Sequence, residues 1–410
     1  MLKSELAERL RNGENSGLEF KRDDVHPDSL AKEVAALLNL EGGYILLGVE
    51  DDGTVTGLTR APKKAETWVM DVCRQNIQPA FIPYWETAQW ERGRTIGIIT
   101  LPADSPDKPY KAKRGTTWLT FVRVGSTSRE ATREEEARLY QASGLMRFDI
   151  KPAIGATPAD LDWHRVENYF RDILRQESPK VNDEVAWQNL LLNVDMLAES
   201  RGRKIPTVAG LLLFGAQPNR HLPQAGITST AYSGLEKDYA TVDEEIIRGP
   251  LVSALSRRGR VTEPGVIDQA VAFVARNMGT WAWLEGARRV RKKAYPLEAV
   301  REAVVNAVAH RDYTMAGMDI EVSLYANRLE VISPGRLPNT VTVEKMKQGY
   351  RVARNELIKE ILRDYGYVEA RGMGVRNRII QGMREHNGTE PDLIEEETRF
   401  IVRLWKEPRA

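Results

Sequence analysis

Polar and apolar positions alternate at helical spacing over residues 3–12, with Leu6 and Leu10 on one face. Gly13 and Gly17 then punctuate a loop before a short extended segment, Leu18–Lys21. Residues 28–40 predict a helix that starts at Asp28 or Ser29 and packs Leu30, Val34, Leu37 and Leu38. The apolar run Tyr44–Val49 predicts a buried strand. It ends at Glu50-Asp51-Asp52-Gly53, a hairpin turn whose return strand is Val55–Leu58. A helix over 62–76, strands over 94–101 and 118–124, and a helix over 132–142 opened by the box Thr132-x-x-Glu135 complete an α+β domain.

A stretch rich in Pro, Gly and Asp follows. It divides the chain into a first domain at 1–142, a linker at 143–160, a helical and mixed part at 161–290, and a core at 291–410. Helical spacing covers 161–176, 184–200, 240–256, 264–284, 296–309, 354–363 and 375–386. Strands are expected at 227–236, 319–325, 328–333 and 399–405, giving a region of mixed α/β structure. The apolar run Val208–Gly215 fits a buried strand or a tightly packed helix, because short apolar runs carry no period.

Charge narrows the partners. The 410 residues carry 59 Lys and Arg against 58 Asp and Glu, a net of +1, which excludes a whole-surface basic grip on nucleic acid. Residues 1–130 hold 18 basic and 19 acidic side chains, so contact there falls to local positions: Arg22, Lys111, Lys113, Arg114 and Arg123. A second basic cluster comprises Arg257, Arg258, Arg260 and Arg288–Lys293. The single cysteine, Cys73, excludes an internal disulfide and a cysteine-cluster zinc site. There is no run of about 18 apolar residues and no signal-peptide core at the start, so the expectation is a cytoplasmic protein without a membrane partner.

Three carboxylates of the first domain could converge: Glu14 from a loop, Glu19 from a strand and Asp51 from a hairpin mouth. Such a set can hold a divalent cation that activates water against a phosphodiester, with Lys21, on the same strand face as Glu19, neutralising phosphate charge. Glu19 paired with Lys21, and Asp51 as a turn residue, is the plain structural alternative. The series Glu14-x4-Glu19-Phe20-Lys21, Asn39-x-Glu41-Gly42-Gly43-Tyr44 and Gly48-Val49-Glu50-Asp51-Asp52-Gly53 resembles the Schlafen AlbA-type domain, as do Lys108-Pro109-Tyr110 and Arg123–Ser126. The resemblance covers about residues 5–140. It implies two alternatives: a nucleic-acid-binding regulator, as bacterial members are described, or an RNA-cutting nuclease. In the second case Glu14, Glu19 and Asp51 sit at the catalytic positions, with Mg²⁺ or Mn²⁺.

In the second domain, Glu302 and Asn306 are four residues apart and share a helix face. An asparagine carbonyl suits Mg²⁺, and a glutamate one turn earlier suits a water attacking a phosphoryl group. Gly335 lies in a glycine turn after a strand, and Gly372 and Gly374 precede a helix where backbone N–H groups could meet phosphate. Together with Arg301–Tyr313 and Arg354-Asn355, this order resembles the GHKL ATPase fold in its branch similar to the RecG C-terminal region, over about 205–405. The resemblance implies a GHKL-like α/β sandwich, ATP and Mg²⁺ as cofactors, Glu302 as the water-activating acid and Asn306 as the metal ligand. Gly335 would lie on the adenine side, and Gly372 and Gly374 in the phosphate lid. Ser333 stands where an aspartate usually accepts from adenine, and His310 is a further candidate, as a phosphate contact, an Asp312 partner or a helix-terminal residue. The resemblance also implies a homodimer. Three functions follow: an ATP-gated regulator of DNA or RNA, a metal-dependent endoribonuclease, or a scaffold whose sites have decayed.

Overall fold

The computed structural model describes residues 3–407 except 104, 106, 145, 181, 257–258, 286–287, 338–340, 350–351 and 369–372. Two units separate, Met1–Met146 and Arg147–Ala410.

The first unit runs α1 (Lys3–Asn12), β1 (Leu18–Lys21), α2 (Pro27–Asn39), β2 (Gly43–Leu47), α3 (Pro62–Gln75), β3 (Ile77–Gln78), β4 (Tyr84–Gln89), β5 (Thr95–Leu101), β6 (Lys111–Arg114), β7 (Thr117–Val124), β8 (Thr127–Glu130) and α4 (Arg133–Ala142). One sheet has the order β1-β2-β5-β4 and the other β3-β6-β7-β8. Among the described strands of this unit β1 and β2 pair in parallel, and the other pairs are antiparallel. Period-two alternation sorts β2: Ile45 and Leu47 join the α2 core with Leu30, Val34 and Phe121, whereas Leu46 joins Leu6 of α1 and Phe20 on the opposite face. The α2 cap is His26, whose Nδ1 accepts from the Asp28 N–H, with Pro27 in the first turn where no donor is needed. At its other end Asn39 is buried. Its amide donates to the Tyr110 and Phe121 carbonyls at 2.8 Å each, and its oxygen accepts from the Tyr110 N–H at 2.7 Å.

The second unit runs α5 (Trp163–Asn168), α6 (Glu184–Asn193), β9 (Leu197–Ser200), β10 (Arg203–Pro206), α7 (Val208–Phe214), β11 (Ile227–Tyr232), β12 (Thr241–Ile247), β13 (Ala254–Leu255), β14 (Val261–Glu263), α8 (Val266–Asn277), β15 (Thr280–Glu285), β16 (Arg288–Lys293), α9 (Leu297–His310), β17 (Ile320–Leu324), β18 (Arg328–Pro334), α10 (Val343–Lys347), α11 (Glu356–Asp364), α12 (Gly382–Asn387), β19 (Asp392–Glu395) and β20 (Arg399–Trp405). Its main sheet has the order β12-β11-β17-β18-β20-β19, with β11 and β17 parallel. Helices α8 and α9 cover one face, packing Ala270, Val274, Ala303 and Val304 in one core with Val322, Leu329 and Val331.

Several sequence expectations change. Residues 240–256, expected helical, contain strand β12, whose Thr, Val and Ile suit the edge it forms on β11. The helix expected over 264–284 stops at Asn277, and residues from Thr280 pair with β16. The helix expected over 184–200 stops at Asn193. Asp195 takes a positive φ of 57°, and Leu197–Ser200 is a strand. Val208–Phe214 is a helix, capped by Thr207 Oγ1 accepting from the Gly210 N–H at 3.0 Å. The second part of the expected linker is packed into the second unit: Asp149 is fully buried, and its carboxylate accepts from the Leu357 N–H at 2.8 Å.

Replacing Asn39 by Ala strips three buried backbone groups of their partner. The expected loss is about 2–4 kcal/mol, read as a lower urea midpoint for the transition of the first unit.

Candidate functional sites

In the first unit Arg123 of β7 organises the carboxylates. Its side chain is 0% exposed and lies 2.6 Å from Glu19 Oε2 and 3.1 Å from Glu33 Oε2. It also donates to the carbonyls of Asn15 at 2.8 Å and Leu18 at 3.1 Å. The expectation that Arg123 meets nucleic acid is corrected: its guanidinium is spent inside the fold. Glu19 Oε1 pairs with Lys21 Nζ, as the shared face of β1 requires. Burial alone would lower the Lys21 pKa, but the hydrogen bond and charge of Glu19, with Glu14 and Glu33 nearby, raise it.

Glu14 Oε1 accepts from the Phe20 N–H at 2.8 Å. Burial raises its carboxyl pKa, and the neighbouring charges of Glu19 and Asp51 add to the rise. Asp51 is exposed in its turn. The three carboxylates are therefore electrostatic neighbours. Both oxygens of Glu19 are nevertheless engaged by cations, and among the described residues no group of three His, Cys, Asp or Glu is arranged to hold a metal ion. Glu19 Oε2, although 2.6 Å from Arg123, is buried and accepts no hydrogen bond among the described residues. Of the other basic candidates, Arg22 pairs with Asp24 at 3.0 Å and Lys111 with Glu136 at 2.8 Å, while Lys113 and Arg114 stand on β6 and Arg114 is exposed.

In the second unit, α9 forms one side of a cleft with about 1140 Å³ of atom-free space, part of it open to solvent. Glu302, Asn306 and His310 line it from α9, one turn apart; Ser333 and Gly335 line it from the end of β18, and Gly374 from the start of a π-helical turn, Val375–Gln381. The Asn306 amide donates to Glu302 Oε1 at 3.0 Å, and Arg378 Nη1 stands 3.6 Å from Glu302 Oε2. A Cβ built on Gly374 would overlap the Glu302 carboxylate. Gly374 has ordinary right-handed helical angles (φ −57°, ψ −47°), so glycine is needed there for space and not for conformation. Gly335 combines a positive φ of 104° with close approach to Asp312 and Arg354. Gly372 lies outside the described residues.

Ser333 Oγ donates to the Ala307 carbonyl at 2.9 Å, which leaves its lone pairs as acceptors. Burial, with Lys359 and Arg354 nearby, lowers the His310 pKa to about 4, so the ring is neutral at pH 7. Asp312 is held by the Thr314 N–H and hydroxyl at 3.0 and 2.6 Å and stands 3.8 Å from Arg354, while His310 is the last residue of α9. Sequence reasoning missed Arg378, Lys359 and Arg336 at this cleft, and the apolar wall of Val331, Phe400 and Val402. Arg378 had a readable signal, falling one turn after Gly374.

Residues 14–132 match the family model described as "Schlafen, AlbA_2", and residues 317–404 match "Putative ATP-dependent DNA helicase recG C-terminal", a HATPase-type model. The chain therefore carries an N-terminal Schlafen AlbA-type domain and a C-terminal RecG-C/HATPase-like domain, in a mixed α+β architecture. Among solved structures it is similar to the DIP2311 protein of Corynebacterium diphtheriae (21% identity, 95% of this chain and 75% of that one, TM-score 0.44). It is also similar to the N-terminal domain of a RecG-related protein of Nitrosomonas europaea (25% identity, 31% of this chain and 92% of that one, TM-score 0.25). No curated protein matches. Among the described residues no helix is long and apolar enough to cross a membrane. In general terms this domain pair is that of a nucleotide- and nucleic-acid-binding regulator.

Two outcomes are expected. Arg123→Ala leaves Glu19 and Glu33 buried without their shared cation and costs about 3–5 kcal/mol in urea unfolding. His310 has a depressed folded pKa, so the unfolded chain takes up its proton first as pH falls. Stability should therefore be unaffected above about 6.5 and decline between about 6.5 and about 4, by about 3 kcal/mol in all. His310→Gln should flatten that part of the curve of melting temperature against pH.

Proposed function

We propose that the second unit binds ATP with Mg²⁺ in the cleft beside α9 and that nucleotide occupancy regulates nucleic-acid binding by the first unit. The observation that carries this reading is the Glu302–Asn306 pair facing a glycine that leaves no room for a side chain. The residues fit the group. Asn306 donates its amide to Glu302 and keeps its carbonyl oxygen, a hard ligand of the kind Mg²⁺ takes. Glu302, steadied by Asn306 and Arg378, is placed to orient a water towards a terminal phosphate. Mg²⁺ supplies charge neutralisation between phosphate oxygens when bound.

The apolar wall suits a purine face, and the Ser333 oxygen suits its amino group. A neutral His310 can hydrogen-bond a phosphate or ribose oxygen without charge, whereas Lys359 and Arg336 bring charge to the same cleft. In the first unit, Arg22, Lys113 and Arg114 are the candidates for nucleic-acid contact. A cytoplasmic homodimer is the assembly this reading expects.

The second reading, a metal-dependent endoribonuclease, draws on the mutual proximity of Glu14, Glu19 and Asp51. It requires Arg123 and Lys21 to release Glu19, so the regulator reading is preferred.

Calorimetry with ATP and Mg²⁺ should show binding that Asn306→Ala abolishes; no heat from the wild type with any nucleotide would remove the reading. Gly374→Ala is the sharper variant. Alanine suits the helical backbone, so the melting temperature should hold within a few degrees, yet nucleotide affinity should fall at least tenfold because Glu302 must move. Incubated with tRNA and Mn²⁺, the chain should leave the RNA intact. Fragments that vanish in Glu19→Ala would favour the nuclease instead.

A further inference from the structure

The segment between α8 and α9 is a two-stranded antiparallel ribbon, β15 and β16, and neither strand pairs with any other described strand. Its register sets Trp281 opposite Lys292, Trp283 opposite Val290, and Leu284 opposite Arg289. Period-two alternation therefore puts positions 289, 291 and 293 of β16, all basic, on one face of the ribbon. The other face carries positions 281, 283, 285, 288, 290 and 292: two tryptophans, one glutamate, one valine and two basic residues.

Residues 280–293 hold five basic residues and one acidic, a net of +4 in a chain whose total is +1. The root of the ribbon is fixed. The Ala294 N–H donates to the Gly279 carbonyl at 2.9 Å, His386 Nε2 meets the Lys293 carbonyl at 2.7 Å, Lys292 Nζ donates to the His386 carbonyl, and Met278, Ala294 and Tyr295 are buried.

We propose that this ribbon is an arm that binds duplex DNA, through the charge that the basic positions 289, 291 and 293 bring to one of its faces. A two-stranded ribbon is a shape that the major groove, about 12 Å wide, accommodates. The anchored root means that little chain entropy is lost on binding. The inference rests on the nucleic-acid half of the proposed function and moves a contact into the second unit.

The test uses the full chain and a labelled duplex of about three helical turns, followed by fluorescence anisotropy over a salt series. Arg289→Glu with Arg291→Glu should weaken binding at least tenfold and reduce the salt slope by about two, since each lost phosphate contact removes about one. The heat of ATP binding should be unchanged, which reports an intact fold; should the double reversal not fold, Arg289→Gln with Arg291→Gln replaces it and should lower the slope alike. Unchanged affinity and slope would overturn the arm. So would a wild type that prefers single-stranded RNA by tenfold or more, or one that sediments with phosphatidylserine vesicles and ignores the duplex. Lys113→Glu with Arg114→Glu reports separately on the first unit. If only that variant loses DNA, the arm fails and the first-unit reading stands; if only the ribbon variant does, the reverse holds.

Discussion

Backbone carbonyls that leave regular structure inside a packed core must find a donor, because water cannot reach them. Both units meet this constraint with buried arginine and asparagine side chains. In the second unit Arg311 is fully buried and donates to the carbonyls of Asp312, Met315 and Met318. Asn355 donates to the Ala309 and Arg311 carbonyls at 3.0 and 2.9 Å. At the C-terminal end of α9 the Ala309 carbonyl is met by Asn355, the Val308 carbonyl by the Tyr313 hydroxyl and the Ala307 carbonyl by Ser333, while Arg311 ties down the turn that follows. The position of His310, and with it the row Glu302–Asn306–His310, depends on these bonds. The segments Arg311-Asp312-Tyr313 and Arg354-Asn355 thus hold the pocket's main helix in place.

The same constraint decides how the first unit uses its charges. Arg123 gathers the Asn15 and Leu18 carbonyls on either side of the β1 entry, and its remaining capacity goes to Glu19 and Glu33. Ser128 adds a hydroxyl to Glu33 at 2.5 Å, and Lys32 stands 3.0 Å from its other oxygen. A buried ion cluster of this kind contributes little net stability when complete, yet costs several kcal/mol when one partner leaves. Glu19 is therefore held by the requirement that keeps β1 in register, and chemistry at this carboxylate would compete with the fold.

What could be read in the sequence follows from where each signal resides. The helix α2 and the Glu302–Asn306 face of α9 were legible because their information is local, a repeat of 3.6 residues and a spacing of four. Strands β12 and β15 were read as helix because their identity comes from pairing, with β11 in one case and β16 in the other. Arg123 looked like a surface charge on a strand, since nothing beside it announces that Glu19 and Glu33 lie 104 and 90 residues earlier. Gly374 was noticed as a glycine that exposes backbone to phosphate. Its helical angles assign it a different task, giving the Glu302 carboxylate room.

Near-neutral total charge conceals a strong local separation. Outside residues 280–293 the chain is net acidic by three charges, and the basic excess sits on a ribbon that runs into α9 within a few residues. The order matters because β16 and α9 are joined through Ala294 and Tyr295, both buried, so a load on the ribbon bears on the root of the helix that carries Glu302 and Asn306. By linkage, any ligand of the ribbon that favours one position of α9 must alter the affinity of the cleft by the same factor that a ligand in the cleft alters the ribbon's. Within the second unit, α9 is the element that both follows the ribbon and lines the cleft.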